Sequence, residues 1–291
     1  MKPAPFEYFR PGSLNEALSL LAEHGGDAKP LAGGQSLIPA MNFRLATPSV
    51  LIDLNALSDL NYINEDSSGV GIGGMTRQRT IERSAVVSKR MPLIAETMPH
   101  IAHPAIRNRG TIGGSLAHAD PAAELPAVML ALNAMVTVRS ASETRDVSAD
   151  EFFIGLFTTA LQPGELLTDI RIPTAAPRSG FAFQEISRRH GDFALVGVAA
   201  AVRLHEDGRC TDARVALLSV GDRPMLAQHA ASTLIGQAPS TELIRSAADA
   251  AVTRDIDPSS DIHASARYRR QLANVLTRRA LERAFERARS A

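Results

Sequence analysis

Two short stretches carry the residue types from which a ligand site could be built. The first, "AGGQSL" from Ala32 to Leu37, sets Gly33 and Gly34 between an apolar pair and a helix start. The second, "TIGGS" from Thr111 to Ser115, repeats the arrangement, with Gly113 and Gly114 followed by a small hydroxyl residue and then an apolar helix. A double glycine lets the backbone take positive φ and stand close to another molecule. Each stretch is therefore either a helix-entry turn or a cradle whose N–H groups point at a phosphate or a ring carbonyl. Gln35, Ser36, Thr111 and Ser115 would add side-chain hydrogen bonds, and two such cradles suit a diphosphate or another long ligand.

Other chemistries fit less well. The dinucleotide pattern G-x-G-x-x-G fails because Gly71 and Gly73 lead to Thr76, where a third glycine should let helix and strand pack closely. No Gly-Lys-Ser/Thr occurs, which excludes a P-loop. Both glycine stretches are near misses to the hydrolase elbow G-x-S-x-G, with Ile38 and Ala117 where the closing glycine must make room for a sharp turn. His100 and His103 are spaced like a helical pair and His118 stands near Asp120. Without a third ligand at a recognisable spacing they read as helix-end and loop residues, so neither a metal site nor a catalytic residue is assigned.

The whole chain narrows the choice. Its 291 residues can bury a substantial core, and 31 basic against 31 acidic residues leave no net field to draw it to nucleic acid or an anionic membrane. Arginines crowd the C-terminal end from Arg267 to Arg289, and with Glu282 and Glu286 among them they read as a solvated helix face. Cys210 is the only cysteine, whereas an iron–sulfur cluster needs about four thiolates. The start, "MKPAPFEYFRPGS", has no apolar signal region, and no stretch approaches the roughly 20 apolar residues of a membrane span. A cytoplasmic protein is expected, and any redox chemistry must use a bound organic cofactor or a carrier in another chain.

The elements that position the glycines follow from periodicity. Ser13 and Glu16 form a capping box ahead of Ala17, Leu18, Leu20 and Leu21, and Gly25 and Gly26 close that helix. A strand through Pro30 to Ala32, a helix after Ser36, a strand within Ser49 to Asn55 and a hairpin about Asp66 to Gly69 follow. Two short helices are predicted between Thr80 and His100, then a loop from Ile106 to Pro121, a helix over Ala122 to Leu132, and strands at Ala134 to Arg139 and Leu166 to Ile172. After a linker at Pro173 to Gly180 come three antiparallel strands. Helices near Met225 to Leu234, Thr241 to Thr253 and His263 to Arg289 complete the chain. The fold class is α+β, with a first domain over 1–176 and a second over 177–291.

Together with "RPGSLNEAL" and "HADPAAELPA", the blocks "AGGQS", "TIGGS" and "FQEISRRHGDFALVG" (Phe183 to Gly197) resemble the FAD-binding medium subunit of molybdenum hydroxylases, the family of carbon monoxide dehydrogenase and xanthine dehydrogenase. The resemblance runs from Phe6 to about the last helix. It implies a flavin-binding domain of the vanillyl-alcohol-oxidase (PCMH-like) type, built of two α+β subdomains at about 1–56 and 57–176, and a C-terminal flavoprotein-type domain of a three-stranded antiparallel sheet plus helices. It implies that Ala32, Gly33, Gly34, Gln35, Ser36 and Leu37 and, opposite them, Thr111, Ile112, Gly113, Gly114 and Ser115 wrap the diphosphate and neighbouring parts of FAD. By the same match Glu124 would bond the ribityl or adjacent hydroxyls, Leu167 and Gln184 would border the flavin, Ile101 the adenine side and Phe193 the isoalloxazine face. Without the resemblance, Leu167, Ile101 and Phe193 read as core and Glu124 as a first-turn helix carboxylate.

The resemblance further implies a heterotrimer, paired into a dimer, in which a large subunit holds molybdopterin and a small one two [2Fe–2S] clusters. This chain would then pass electrons to NAD, a quinone or oxygen. A free-standing flavin oxidoreductase and a non-catalytic assembly subunit are the alternatives. Three positions depart from family habit: Ser115 stands where many relatives carry Asn, Phe193 where some carry Tyr, and Gln184 where eukaryotic relatives carry Lys. The last leaves no cation at that position to favour a reduced, anionic flavin.

Overall fold

The computed structural model describes residues 2–291. A three-stranded parallel sheet in the order β1–β3–β2 comes first, from β1 (Glu7–Phe9), β2 (Ala28–Leu31) and β3 (Val50–Asp53). Helix α1 (Leu14–His24) connects β1 to β2, and α2 (Leu37–Asn42) leads toward β3. The capping box at the head of α1 is present. Ser13 Oγ accepts from the Glu16 N–H at 3.2 Å, and Glu16 Oε2 accepts from Gly12 N–H at 2.7 Å. Ala17, Leu18 and Leu21 bury the inner stripe of α1 against Val50, Ile52 and Leu54, and Gly25 ends the helix at φ 51°.

A five-stranded antiparallel sheet follows, ordered β4–β5–β10–β6–β7: β4 (Ile63–Asp66), β5 (Gly69–Gly73), β6 (Met135–Arg139), β7 (Thr144–Ser148) and β10 (Leu166–Pro173). Between β5 and β6 run α3 (Gln78–Arg83), α4 (Ala85–Arg90), α5 (Pro92–Thr97), α6 (Pro104–Arg107), α7 (Ile112–His118) and α8 (Glu124–Ala131). A short helix α9 (Ala149–Phe152) and the hairpin β8 (Phe153–Gly155) and β9 (Thr158–Thr159) lie between β7 and β10.

Sequence expectation and structure part at several places here: the stretch given two short helices holds three, α3 to α5, and α9 with the β8–β9 hairpin had no signal. The predicted loop from Ile106 to Pro121 contains α7, because Thr111 Oγ1 caps it by accepting from Gly114 N–H at 3.0 Å, and its glycines sit where no side chain would fit. Strand β7 had no signal because "TRDVS" buries only Val147.

The last sheet is antiparallel, β11–β12–β13–β14: β11 (Ser179–Ser187), β12 (Ala194–Leu204), β13 (Cys210–Leu218) and the two-residue β14 (Met225–Leu226). The fourth strand occupies the start of a predicted helix, so α10 begins only at Gln228 and runs to Leu234. Helix α10 and the 25-residue α12 (Ala266–Ser290) cover one face of this sheet, and α11 (Thr241–Ala250) packs on both helices. Its other face, through Phe183, Ala199, Ala216 and Leu218, joins the core of α5, α7 and α8.

The C-terminal arginines are not simply a solvated face. Arg269 is buried, donating to the carbonyls of Leu195 and Ser219 and to Asp261. Arg283 and Arg287 both pair with Glu96 at the end of α5, and Arg287 also donates to the Phe181 carbonyl. These charges tie α12 to the preceding core.

Candidate functional site

The two glycine loops meet. A β-carbon on Gly33 would fall against the Arg109 carbonyl and the Gly110 Cα, and one on Gly114 would lie 3.4 Å from the Ala32 side chain. Gly34 occupies the left-handed region at φ +72° and turns the chain into α2. The sequence leaves each glycine pair as a helix-entry turn or a ligand cradle, and Gly33 gives its room to the neighbouring loop.

The loops differ in what their amides do. From Gly33 to Leu37 no backbone N–H donates to an acceptor among the described residues, while Gln35 folds back to give its side-chain amide to the Gly33 carbonyl at 3.0 Å. Ser36 precedes α2 without capping it. In the second loop Ile112 N–H donates to Thr76 O at 3.1 Å, Gly113 N–H to Gly74 O at 2.9 Å, and Ser115 N–H to Thr111 O at 3.1 Å. With the Thr111 cap on Gly114, that run of amides is satisfied internally. The first loop is thus a row of free donors, and the second is a rigid buttress behind it. Unpaired N–H groups at a partly open loop are the donor set that an anionic diphosphate requires.

A third double glycine, passed over in the sequence except as part of a failed fingerprint, supports the buttress. A β-carbon on Gly113 would collide with the Gly74 backbone, and one on Gly74 would press on the Leu167 carbonyl. Leu167, Gly74 and Gly113 therefore stack, which brings Leu167 to the second loop. Sequence reasoning also missed Asn55, Arg77 and Arg109. Asn55 Nδ2 donates to the Ala32 carbonyl at 3.0 Å, and Arg77 donates both to Asn55 Oδ1 and to the Arg109 carbonyl. Nothing in their spacing marks them, since they converge only where the turn after β3 and the start of α3 meet beside the loops.

Glu124 begins α8 and is buried. Burial, reinforced by the nearby Asp120 charge, pushes its carboxyl up to about 7. Glu185, on the β11 face that carries Phe183, is pushed up to about 8 by burial and by Glu124, and its Oε2 has no hydrogen-bond partner. Gln184 pairs in register with Val198 and so lies on the opposite face, toward the cluster under α12. Ile101 and Ile112 are buried in the main core. The Ile101 carbonyl accepts from Arg107 at 2.7 Å. Phe193, read from sequence alone as core, is 69% exposed at the mouth of the β11–β12 turn. His100 packs edge-on against Phe183 and His103 beside His190, and no group of three potential metal ligands occurs among the described residues.

Known proteins match this chain over nearly its whole length. Residues 4–175 match the FAD binding domain in molybdopterin dehydrogenase, and residues 181–284 the CO dehydrogenase flavoprotein C-terminal domain. The 6-hydroxypseudooxynicotine dehydrogenase complex subunit alpha of Paenarthrobacter nicotinovorans is 44% identical, over 99% of this chain and 97% of its own. The carbon monoxide dehydrogenase medium chain of Afipia carboxidovorans is 41% identical, with both chains covered in full. The solved carbon monoxide dehydrogenase from Hydrogenophaga pseudoflava superposes with a TM-score of 0.96 at 40% identity, covering 99% of each chain. With free amides facing a glycine buttress and this match from end to end, the chain belongs to the family of FAD-binding medium subunits of molybdenum hydroxylases.

Proposed function

We propose that this chain is the electron-exit subunit of a cytoplasmic molybdenum-dependent dehydrogenase, receiving electrons from [2Fe–2S] clusters of a small partner and delivering them to NAD, a quinone or oxygen. The carrying observation is the row of unpaired amides from Gly33 to Leu37 braced by the second glycine loop. Bound FAD would supply the ability to exchange electrons both singly and in pairs. The residues of the chain hold and orient it. The Gly33–Leu37 amides and the Ser36 hydroxyl take the diphosphate, with Thr111, Ile112, Gly113, Gly114 and Ser115 forming the wall behind. Glu124 faces the sugar-like hydroxyls, Leu167 and Phe193 frame the ring and Ile101 the adenine, while Gln184, turned toward the cluster under α12, is left out of the ring's frame. The lone cysteine, buried with its thiol pushed up to about 11 by that burial, offers no cluster ligand set.

On this reading residues 1–176 form the flavin domain, in two subdomains divided near residue 56, and 177–291 the second domain. The substrate is bound by a large molybdopterin subunit, and two heterotrimers pair. The test is an absorption spectrum of the protein co-purified from its host, with companion chains sized and the released flavin identified. Flavin bands, iron–sulfur absorbance and one large and one small companion are expected. Flavin in a solitary active chain would mean a free-standing oxidoreductase, and a colourless complex would sink the proposal.

A further inference from the structure

Between the two glycine loops lies a polar junction that none of the assigned cofactor positions includes. Asn55, just beyond β3, donates from Nδ2 to the Ala32 carbonyl at the first loop. Its Oδ1 accepts from Arg77, whose other terminal nitrogen donates to the Arg109 carbonyl, the same carbonyl that Gly33 packs against. Arg77 also forms the single antiparallel bridge with Thr111 that anchors the second loop. Behind Asn55, Asp53 accepts from the Asn55 N–H at 2.9 Å, from its side chain and from the Tyr8 hydroxyl. One arginine thus spans the seam, fixed at one end to the strand that holds loop one and at the other to the backbone that opens loop two.

The charge balance at this seam is uneven. Burial, and after it the repulsion of Arg109, lowers the Arg77 pKa, while Asp53 is the carboxylate acting to hold the charge. Asp53 is already engaged by Tyr8 and Asn55. A dianion seated on the free amides of the first loop would relieve that repulsion. A planar guanidinium with donors to spare beyond its two protein contacts is suited to reach it.

We infer that Arg77, braced by Asn55, is a positioning residue for the cofactor diphosphate: it sets the spacing of the two glycine loops and supplies the cationic charge that the loop amides lack. The inference rests on the dinucleotide reading of the site. It assigns a role to two side chains that the glycine motifs do not contain.

The test uses the purified complex with Arg77→Gln and Arg77→Lys, reading bound flavin per protein by absorbance and the rate of FAD release by fluorescence over a range of salt concentrations. Arg77→Gln should release FAD about tenfold faster or more, the loss expected for a charge-assisted contact, and its release should depend less on salt than that of the wild type. Arg77→Lys keeps the charge without the fork, so it should restore the salt dependence while still releasing FAD faster than wild type. Should Arg77→Gln fail to fold, Arg77→Lys with wild-type release at every salt concentration would overturn the inference. Wild-type release from Arg77→Gln would overturn it too, as would faster release with unchanged salt dependence, which marks a merely structural role. A wild-type complex that neither contains flavin nor takes up added FAD would instead sink the dinucleotide reading, and the inference with it.

Discussion

The two glycine loops look alike in sequence and do opposite work. Loop one leaves its N–H groups from Gly33 to Leu37 unpaired, and its Ser36 does not cap α2. Loop two consumes its amides from Ile112 to Ser115 in bonds to Thr76, Gly74 and Thr111, and its Thr111 caps α7. Both contain a glycine pressed against foreign backbone, Gly33 on Arg109 and Gly113 on Gly74. A double glycine therefore signals close approach of backbone to something, without saying whether that something is a ligand or the protein itself.

The harshest way to break the comparison is to fill those contacts. Gly33→Ala and Gly113→Ala each force a methyl into a main-chain group that cannot rotate away, so each should cost about 3 kcal/mol or more and lower flavin content together with melting temperature. Gly34→Ala meets only the side chains of Ile38 and Leu31, at 3.1 and 3.3 Å, but must hold φ +72°. Its cost should be about 1–2 kcal/mol. Thermal melting of the three variants beside their flavin-to-protein ratios checks this order. A Gly33→Ala protein as stable as Gly34→Ala would refute the loop-on-loop contact.

The surroundings of the loops also answer pH in opposite directions. Near loop two, Glu124 and Glu185 stay protonated to about 7 and about 8, against 4.5 for an ordinary glutamate. The folded chain then binds more protons than the unfolded one across that interval, so stability falls as pH rises through it. Near loop one, burial acts to raise the Asp53 pKa, but hydrogen bonds from Tyr8 and Asn55 outweigh it and hold the carboxyl below its usual range. Its contribution is present at neutral pH and is lost in acid. Glu185→Gln should flatten the alkaline decline by on the order of 2 kcal/mol between about pH 5 and 8, with the acid limb unchanged. Melting temperature against pH is the measurement, and a Glu185→Gln curve parallel to the wild type would show that Glu185 is charged at neutral pH.

Much of this was legible in the sequence, and the omissions have physical causes. Helix α1, the β4–β5 hairpin and the long strands β11 to β13 follow from caps, turn residues and apolar runs that act locally. Both glycine loops were visible as motifs. The helix inside the second was not, because glycines at 113 and 114 argue against helix until Gly74 is known to lie across them. Asn55 and Arg77 were invisible for the same reason: a side chain that ties two loops has no period of its own. Phe193 reads as apolar and hence core, yet stands exposed, which only the course of the β11–β12 turn decides.

The caps sharpen the contrast at lower cost. Thr111→Val removes the oxygen that accepts from Gly114 N–H and should destabilise the chain by about 1 kcal/mol, the usual value of a lost N-cap. Denaturant unfolding checks it, and a midpoint equal to the wild type would show that α7 stands on Gly113 and Gly74 alone.

Ser36→Ala is the mirror experiment and the smallest effect. Ser36 is exposed and its hydroxyl makes no cap bond, so stability should move by no more than about 0.5 kcal/mol. If the hydroxyl faces the cofactor, FAD should nonetheless leave about two- to tenfold faster, the worth of one neutral hydrogen bond. The pair of variants then separates the two loops by readout. Thr111→Val lowers stability first and flavin retention as a consequence, whereas Ser36→Ala lowers flavin retention at constant stability. Equal behaviour of the two would mean that loop one is a second structural turn and that the free amides of Gly33 to Leu37 face only water.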